Sequence, residues 1–128
     1  MKKTFKVMTA LTLLAASSWA ISADLADNMG ILATNYKIVL KTDSIDTFKQ
    51  SLQKMHQAAI DSQQGTPEKL AGKDKNSPEM QEFRQGMSTL SSQIEQAMAL
   101  ANEGKLEEAR KVAQDFKQTR DINHKKFR

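Results

Sequence analysis

Ser77-Pro78-Glu79-Met80-Gln81-Glu82-Phe83-Arg84-Gln85-Gly86-Met87-Ser88-Thr89-Leu90 opens the stretch on which the fold turns; it runs on through Ile94, Ala97 and Ala101 to Asn102-Glu103-Gly104. Met80, Phe83, Met87, Leu90, Ile94, Ala97 and Ala101 recur at alternating steps of three and four residues. That spacing gives a helix with one apolar stripe, the seam of a bundle rather than a strand. The start is equally plain. Ser77 can accept from the free N–H groups of the first turn, Pro78 has the right φ and no N–H to lose, and Glu79 meets the positive end of the helix dipole. Asn102-Glu103-Gly104 closes the helix with a turn too short for anything but an antiparallel neighbour.

The same stripe repeats outward in both directions. Upstream, Ile45, Phe48, Leu52, Met55 and Ala59 mark a helix from about Ile45 to Gln63. Before it, Leu25, Met29, Leu32, Tyr36 and Val39 mark another from about Asp24 to Lys41, with Thr42-Asp43-Ser44 as a capping break. Gly65 is expected to end the second helix in the left-handed conformation, with Pro67 barring its continuation. Thr66 to Asn76 reads as a solvated connection rich in Lys, Gly and Pro. Downstream, Leu106, Ala109, Ala113 and Phe116, then Arg120, His124 and Phe127, mark a fourth helix from about Lys105 to Phe127. No β-strand pattern is visible. The expected fold is all-α, an antiparallel up-down-up-down four-helix bundle.

The chain before this bundle has a different character. Lys2, Lys3 and Lys6 precede an apolar run from Val7 to Ala16, followed by mostly small residues to Ala23. This is the layout of a secretory signal peptide, and the run is too short to span a bilayer. Cleavage is expected after Ser22, or after Ala23, leaving residues 23–128 as a periplasmic domain with no membrane span. The whole chain has 19 Lys and Arg against 15 Asp and Glu. Three of those lysines and none of the acids lie in residues 1–22, so the remainder carries 16 against 15, a net charge of +1. The basic balance of the full chain is therefore no footprint of nucleic-acid binding. With no cysteine, disulfides, thiolate metal sites and thioether attachment of a haem are excluded.

One of the two histidines lies where the fourth stripe stops being apolar. Arg120 and His124 take places that Phe116 and Phe127 would otherwise continue, and polar groups on a core face need partners. Met29 lies about five residues into the first helix and His124 about four from the end of the last. At about 1.5 Å per residue both sit roughly 6–8 Å from the same end of the bundle. A thioether and an imidazole on neighbouring first and last helices can serve as the axial pair of a haem iron. Each residue also has an ordinary reading. Met29 fits a core stripe, His124 fits a C-terminal residue capping the last carbonyls, and Arg120 fits a side chain whose stem packs while its head reaches water. The sharper reading of Arg120 is a fork suited to a haem propionate. His56 falls off its helix's stripe and receives no role, and two separated histidines make no zinc site.

The chain also resembles the soluble periplasmic cytochrome b562 family. The resemblance runs from Ala23 to Arg128. It is carried by Ala23-Asp24-Leu25 with Asp27-Asn28-Met29, Met55 with Ala58-Ala59, Ser77-Pro78-Glu79-Met80 with Phe83-Arg84, Leu100 to Lys105, and Thr119-Arg120 with His124, Lys126 and Arg128. That family is a standard example of the four-helix bundle. The resemblance implies one non-covalent b-type haem (iron protoporphyrin IX), Met29 and His124 as iron ligands, Arg120 near a propionate, and one-electron transfer between unnamed periplasmic redox partners. It implies a monomer and no enzyme, since both axial positions are filled by protein. The sequence departs from the family pattern at Gln85, Met87 and Asn123, where a histidine, an aromatic residue and a tyrosine are expected. Two other readings compete: a cofactor-free helical chaperone or adaptor, and a haem storage or transport protein.

Overall fold

The structure, a computed structural model, describes residues 25–128; the expected export segment lies outside them. Helix α1 spans Leu25–Lys41, α2 Ile45–Ser62, α3 Pro78–Asn102, α4 Leu106–Gln114 and α5 Phe116–Phe127, with a 3-10 turn at Glu68–Leu70. Helices α4 and α5 follow one another as the fourth arm of an antiparallel four-helix bundle. There is no strand among the described residues. Neighbours pack in chain order, α1 on α2, α2 on α3 and α3 on both α4 and α5, and α1 against α4 closes the ring.

All seven stripe residues of α3 are buried. They meet Leu32, Tyr36 and Val39 from α1, Phe48, Leu52, Met55 and Ala59 from α2, and Ala109, Ala113 and Phe116 from the fourth arm. Phe48 and Leu52 are completely covered, each worth about 1.5–3 kcal/mol of apolar burial.

The helix ends follow the punctuation in part. Ser44 accepts from Thr47 N at 3.2 Å and Ser77 from Met80 N at 3.3 Å. Gly104, at φ +80°, ends α3 as the expected left-handed residue. Lys105 N donates to Leu100 O and Gly104 N to Ala101 O, the paired bonds of a Schellman closure. Gly65 differs from expectation, since its φ is not positive. Helix α2 unwinds instead through tightened bonds from Gln63, Gln64 and Gly65 N to Ile60, Asp61 and Ser62 O. Gly65 is needed small for another reason: an added Cβ would stand 3.1 Å from Leu25 Cβ. The following connection is not wholly solvated either. Its 3-10 turn inserts Leu70 into the core.

The fourth arm is interrupted at Asp115, where one unbroken helix was expected. The Tyr36 hydroxyl donates to Gln114 O at 3.4 Å, the carbonyl that Gln118 N would use in a regular helix. Gln118 N turns to Asp115 O instead, at 3.2 Å. A side chain inserted into the ladder is a known cause of such breaks.

Upstream of the break, Arg110 of α4 ties down the end of α1. Its guanidinium donates to Val39 O at 3.0 Å and Thr42 O at 2.8 Å, and only 11% of the side chain is exposed. A cation is favourable against these free C-terminal carbonyls. Arg110→Ala is expected to lower stability by about 1.5–3 kcal/mol, the range for hydrogen bonds to a charged group. Chemical denaturation of the apo protein reads this directly; an unchanged midpoint would show that water replaces the arginine at no cost.

Candidate cofactor site

Where α5 continues beyond the break, it stands apart from α1, and a cleft of about 980 Å³ opens between them. Helix α1 contributes Leu25, Ala26, Met29, Gly30 and Ala33. These lie three and four residues apart and so share one face. Met29 is the long side chain between small ones, and a Cβ added to Gly30 would meet nothing within 4 Å. Helix α3 supplies Phe83 and Met87 as the floor, α5 supplies Asn123, His124 and Phe127, and Thr66 to Lys69 with Arg128 rim the opening. Phe83 and Phe127 meet edge to face, with centroids 5.6 Å apart and planes at 85°, which fixes two of the walls against each other.

Met29 and His124 thus line one cleft, as their distances from the helix ends suggested. Both are half-buried. Burial holds the His124 imidazole below the ordinary histidine range, and the positive charges of Arg128 and Arg120 push the same way, against a smaller opposing effect of Asp121. The folded protein therefore favours neutral imidazole, whose free nitrogen lone pair can bind a metal. The linkage sign follows: protonation of this group opposes the fold only as pH falls below the unfolded histidine value, and it costs nothing above it.

Arg120 does not line the cleft. Its Nε donates to Asp121 Oδ1 at 3.1 Å, its guanidinium carbon lies 5.9 Å from the centre of the Tyr36 ring, and 41% of its side chain is exposed. His56, given no role from the sequence, pairs across the bundle, with Nε2 2.8 Å from Glu95 Oε2. Gln85 is exposed and outside the cleft, whereas Met87 and Asn123 belong to its wall.

The chemistry of the cleft is narrow. It offers two thioethers, Met29 from α1 and the buried Met87 from the floor, and one imidazole among mostly apolar walls. Among the described residues, no group of three or more His, Asp or Glu could hold a metal ion. A metal bound by Met29 and His124 must therefore bring its remaining ligands with it, as a flat macrocycle does. The room left by Ala26, Gly30 and Ala33 and the aromatic wall fit such a group. One contact had no signal in the sequence. Gly86 of α3 faces Asn123 so closely that a Cβ there would lie 2.6 Å from Asn123 Cγ. Helical spacing places Gly86 beside the stripe, but only the packing of α5 shows what fills its missing side chain.

Known proteins point the same way. The family model described as cytochrome b562 matches residues 24–128. A Yersinia pestis protein named "Probable soluble cytochrome b562 2" is 48% identical over 128 residues, covering 100% of both chains. A second from the same organism, "Probable soluble cytochrome b562 1", is 35% identical over 112 residues, covering 88% of each.

Proposed function

Because the chain belongs to the cytochrome b562 family, we propose that the cleft holds one b-type haem with Met29 and His124 as axial ligands, and that the protein carries single electrons in the periplasm. The observation that carries this reading is the shared cleft. A soft thioether from the first helix and a neutral imidazole from the last enter one apolar space. When bound, the haem supplies reversible exchange of one electron at its iron.

The chain's part in that exchange is to hold and tune. Met29 and His124 would together hold the iron, leaving no site for a substrate at the metal, which suits the role of a carrier rather than an enzyme. Methionine opposite histidine raises the reduction potential. Phe83, Met87 and Phe127, buried in the cleft wall, would keep water from part of the haem's surface. The haem would be held without covalent links. Thioether attachment would need cysteines four and one residue before the histidine, and those places are Arg120 and Asn123. The domain is residues 23–128, released by cleavage of residues 1–22. No helix among the described residues is long and apolar enough to cross a membrane.

A periplasmic extract tests export and attachment together. Intact mass should show a chain beginning at Ala23 or Asp24, and acid–organic extraction should remove the haem as free protohaem. A chain retaining Met1 to Ser22, or haem that stays with the protein, would contradict the reading.

Arg120 is expected to act through its charge. Arg120→Leu should leave the haem bound but lower the reduction potential, because removing a nearby cation favours the ferric state. Its exposure and its pairing with Asp121 make the effect small. A redox titration identical to that of the unaltered protein would show that the guanidinium is simply solvated.

A further inference from the structure

We propose that Gly86 is a positioning residue: its missing side chain lets α5 sit against α3 at Asn123, and this seats the neighbouring His124 on the cleft wall. The proposal rests on the assignment of His124 as an iron ligand. Glycine in the interior of a helix is locally unfavourable, by about 1 kcal/mol against alanine, so its place in α3 calls for a compensating contact. That contact is the Asn123 amide. The three atoms nearest to an added Cβ at position 86 are Asn123 Oδ1, Cγ and Nδ2, with Cγ at 2.6 Å and Nδ2 at 2.8 Å. Carbon contacts are unstrained only near 3.5–4.0 Å.

The amide is not free to give way at no cost. Nδ2 donates to Thr119 O at 3.0 Å, and the Thr119 hydroxyl donates to Gln93 Oε1 of α3 at 2.7 Å. Phe83 and Phe127 hold the two helices together one turn further on. The seam between α3 and α5 therefore has three rungs, Gln93–Thr119, Gly86–Asn123 and Phe83–Phe127. Only the middle one lacks a side chain on α3. His124 is covalently next to that middle rung, and Met87, next to Gly86, lines the same cleft. A side chain at position 86 would push the turn carrying His124 outward, while the rungs on either side resist.

Three variants, G86A, N123A and G86A/N123A, test this in both apo and haem-loaded protein. N123A keeps the bare glycine and, because Asn123 also lines the cleft, serves as the reference against which the double variant is read. G86A is expected to weaken haem binding about tenfold, equivalent to ~1.4 kcal/mol, to add a high-spin component to the ferric spectrum, and in apo protein to shift the His124 ring NMR signals. The double variant should recover the N123A values, because the methyl added at position 86 occupies the space the amide has left. Since alanine favours helix, far-UV circular dichroism should show G86A still folded. Unchanged His124 signals in apo G86A would overturn the proposal, because the amide would merely have swung aside. A defect that persists in the double variant would overturn it too. If the apo signals shift and recover while no variant binds haem, the positioning stands and the haem assignment falls.

Discussion

His124→Ala is expected to weaken haem binding by at least about a hundredfold, beyond the roughly 10–100-fold that loss of an outer-shell partner costs a metal site. His124 is the one imidazole in the cleft, half-buried and held neutral by burial and by the charges of Arg128 and Arg120. Iron ligation competes with a proton for that nitrogen, and the fold has already tilted the competition toward the metal. Without the imidazole, the thioethers of Met29 and Met87 remain in the cleft, weaker anchors than the imidazole. Haem transfer to a competing apo-protein measures the change. Retention of the original affinity by His124→Ala would mean that the iron is held elsewhere. The second histidine cannot easily replace it, since His56 is engaged with Glu95 on another face of the bundle.

Met29→Ala is expected to act differently. The imidazole still binds, so haem should remain, but the sixth position opens and the ferric iron should pass from low spin to high spin. The potential should fall with the loss of the thioether, since methionine ligation raises it. Ala26, Gly30 and Ala33 flank Met29 on the cleft face of α1, and none carries a group able to take over. The absorption spectrum of the ferric protein decides the matter. A spectrum indistinguishable from that of the unaltered protein would remove Met29 from the iron.

That Met29 and His124 line one cleft was legible from the sequence because both lie on apolar stripes, and a stripe fixes a face and a height along the bundle. The same property made the core legible. Every stripe residue of α3 is buried, and the caps at Ser44, Ser77 and Gly104 serve as their residue types require. What escaped depends on contacts between distant parts of the chain. Gly65 is small because Leu25 packs against it. Leu70 is buried though its neighbours read as loop. The break at Asp115 comes with a bond from Tyr36, 78 positions from its acceptor Gln114. Arg110 looks like any surface cation until α1 brings its last carbonyls within reach. Gly86 and Asn123 are 37 positions apart, and no local pattern pairs a helical glycine with the amide that covers it. Arg120 shows the opposite limit. Its place on the stripe with His124 suggested the cleft, yet its long side chain turns to Asp121 and Tyr36.

The most direct measurement is a titration of apo residues 23–128 with ferric protohaem, followed by the visible spectrum of the complex before and after reduction. The expected result is saturation at one haem per chain, with six-coordinate low-spin spectra in both oxidation states. The complex should also melt higher than the apo protein; with haem a thousandfold above its dissociation constant the added stability is about 4 kcal/mol. A protein that stays colourless, or that binds haem only in a high-spin form while Met29 and His124 are both present, would contradict the assignment of this cleft as a Met/His haem site.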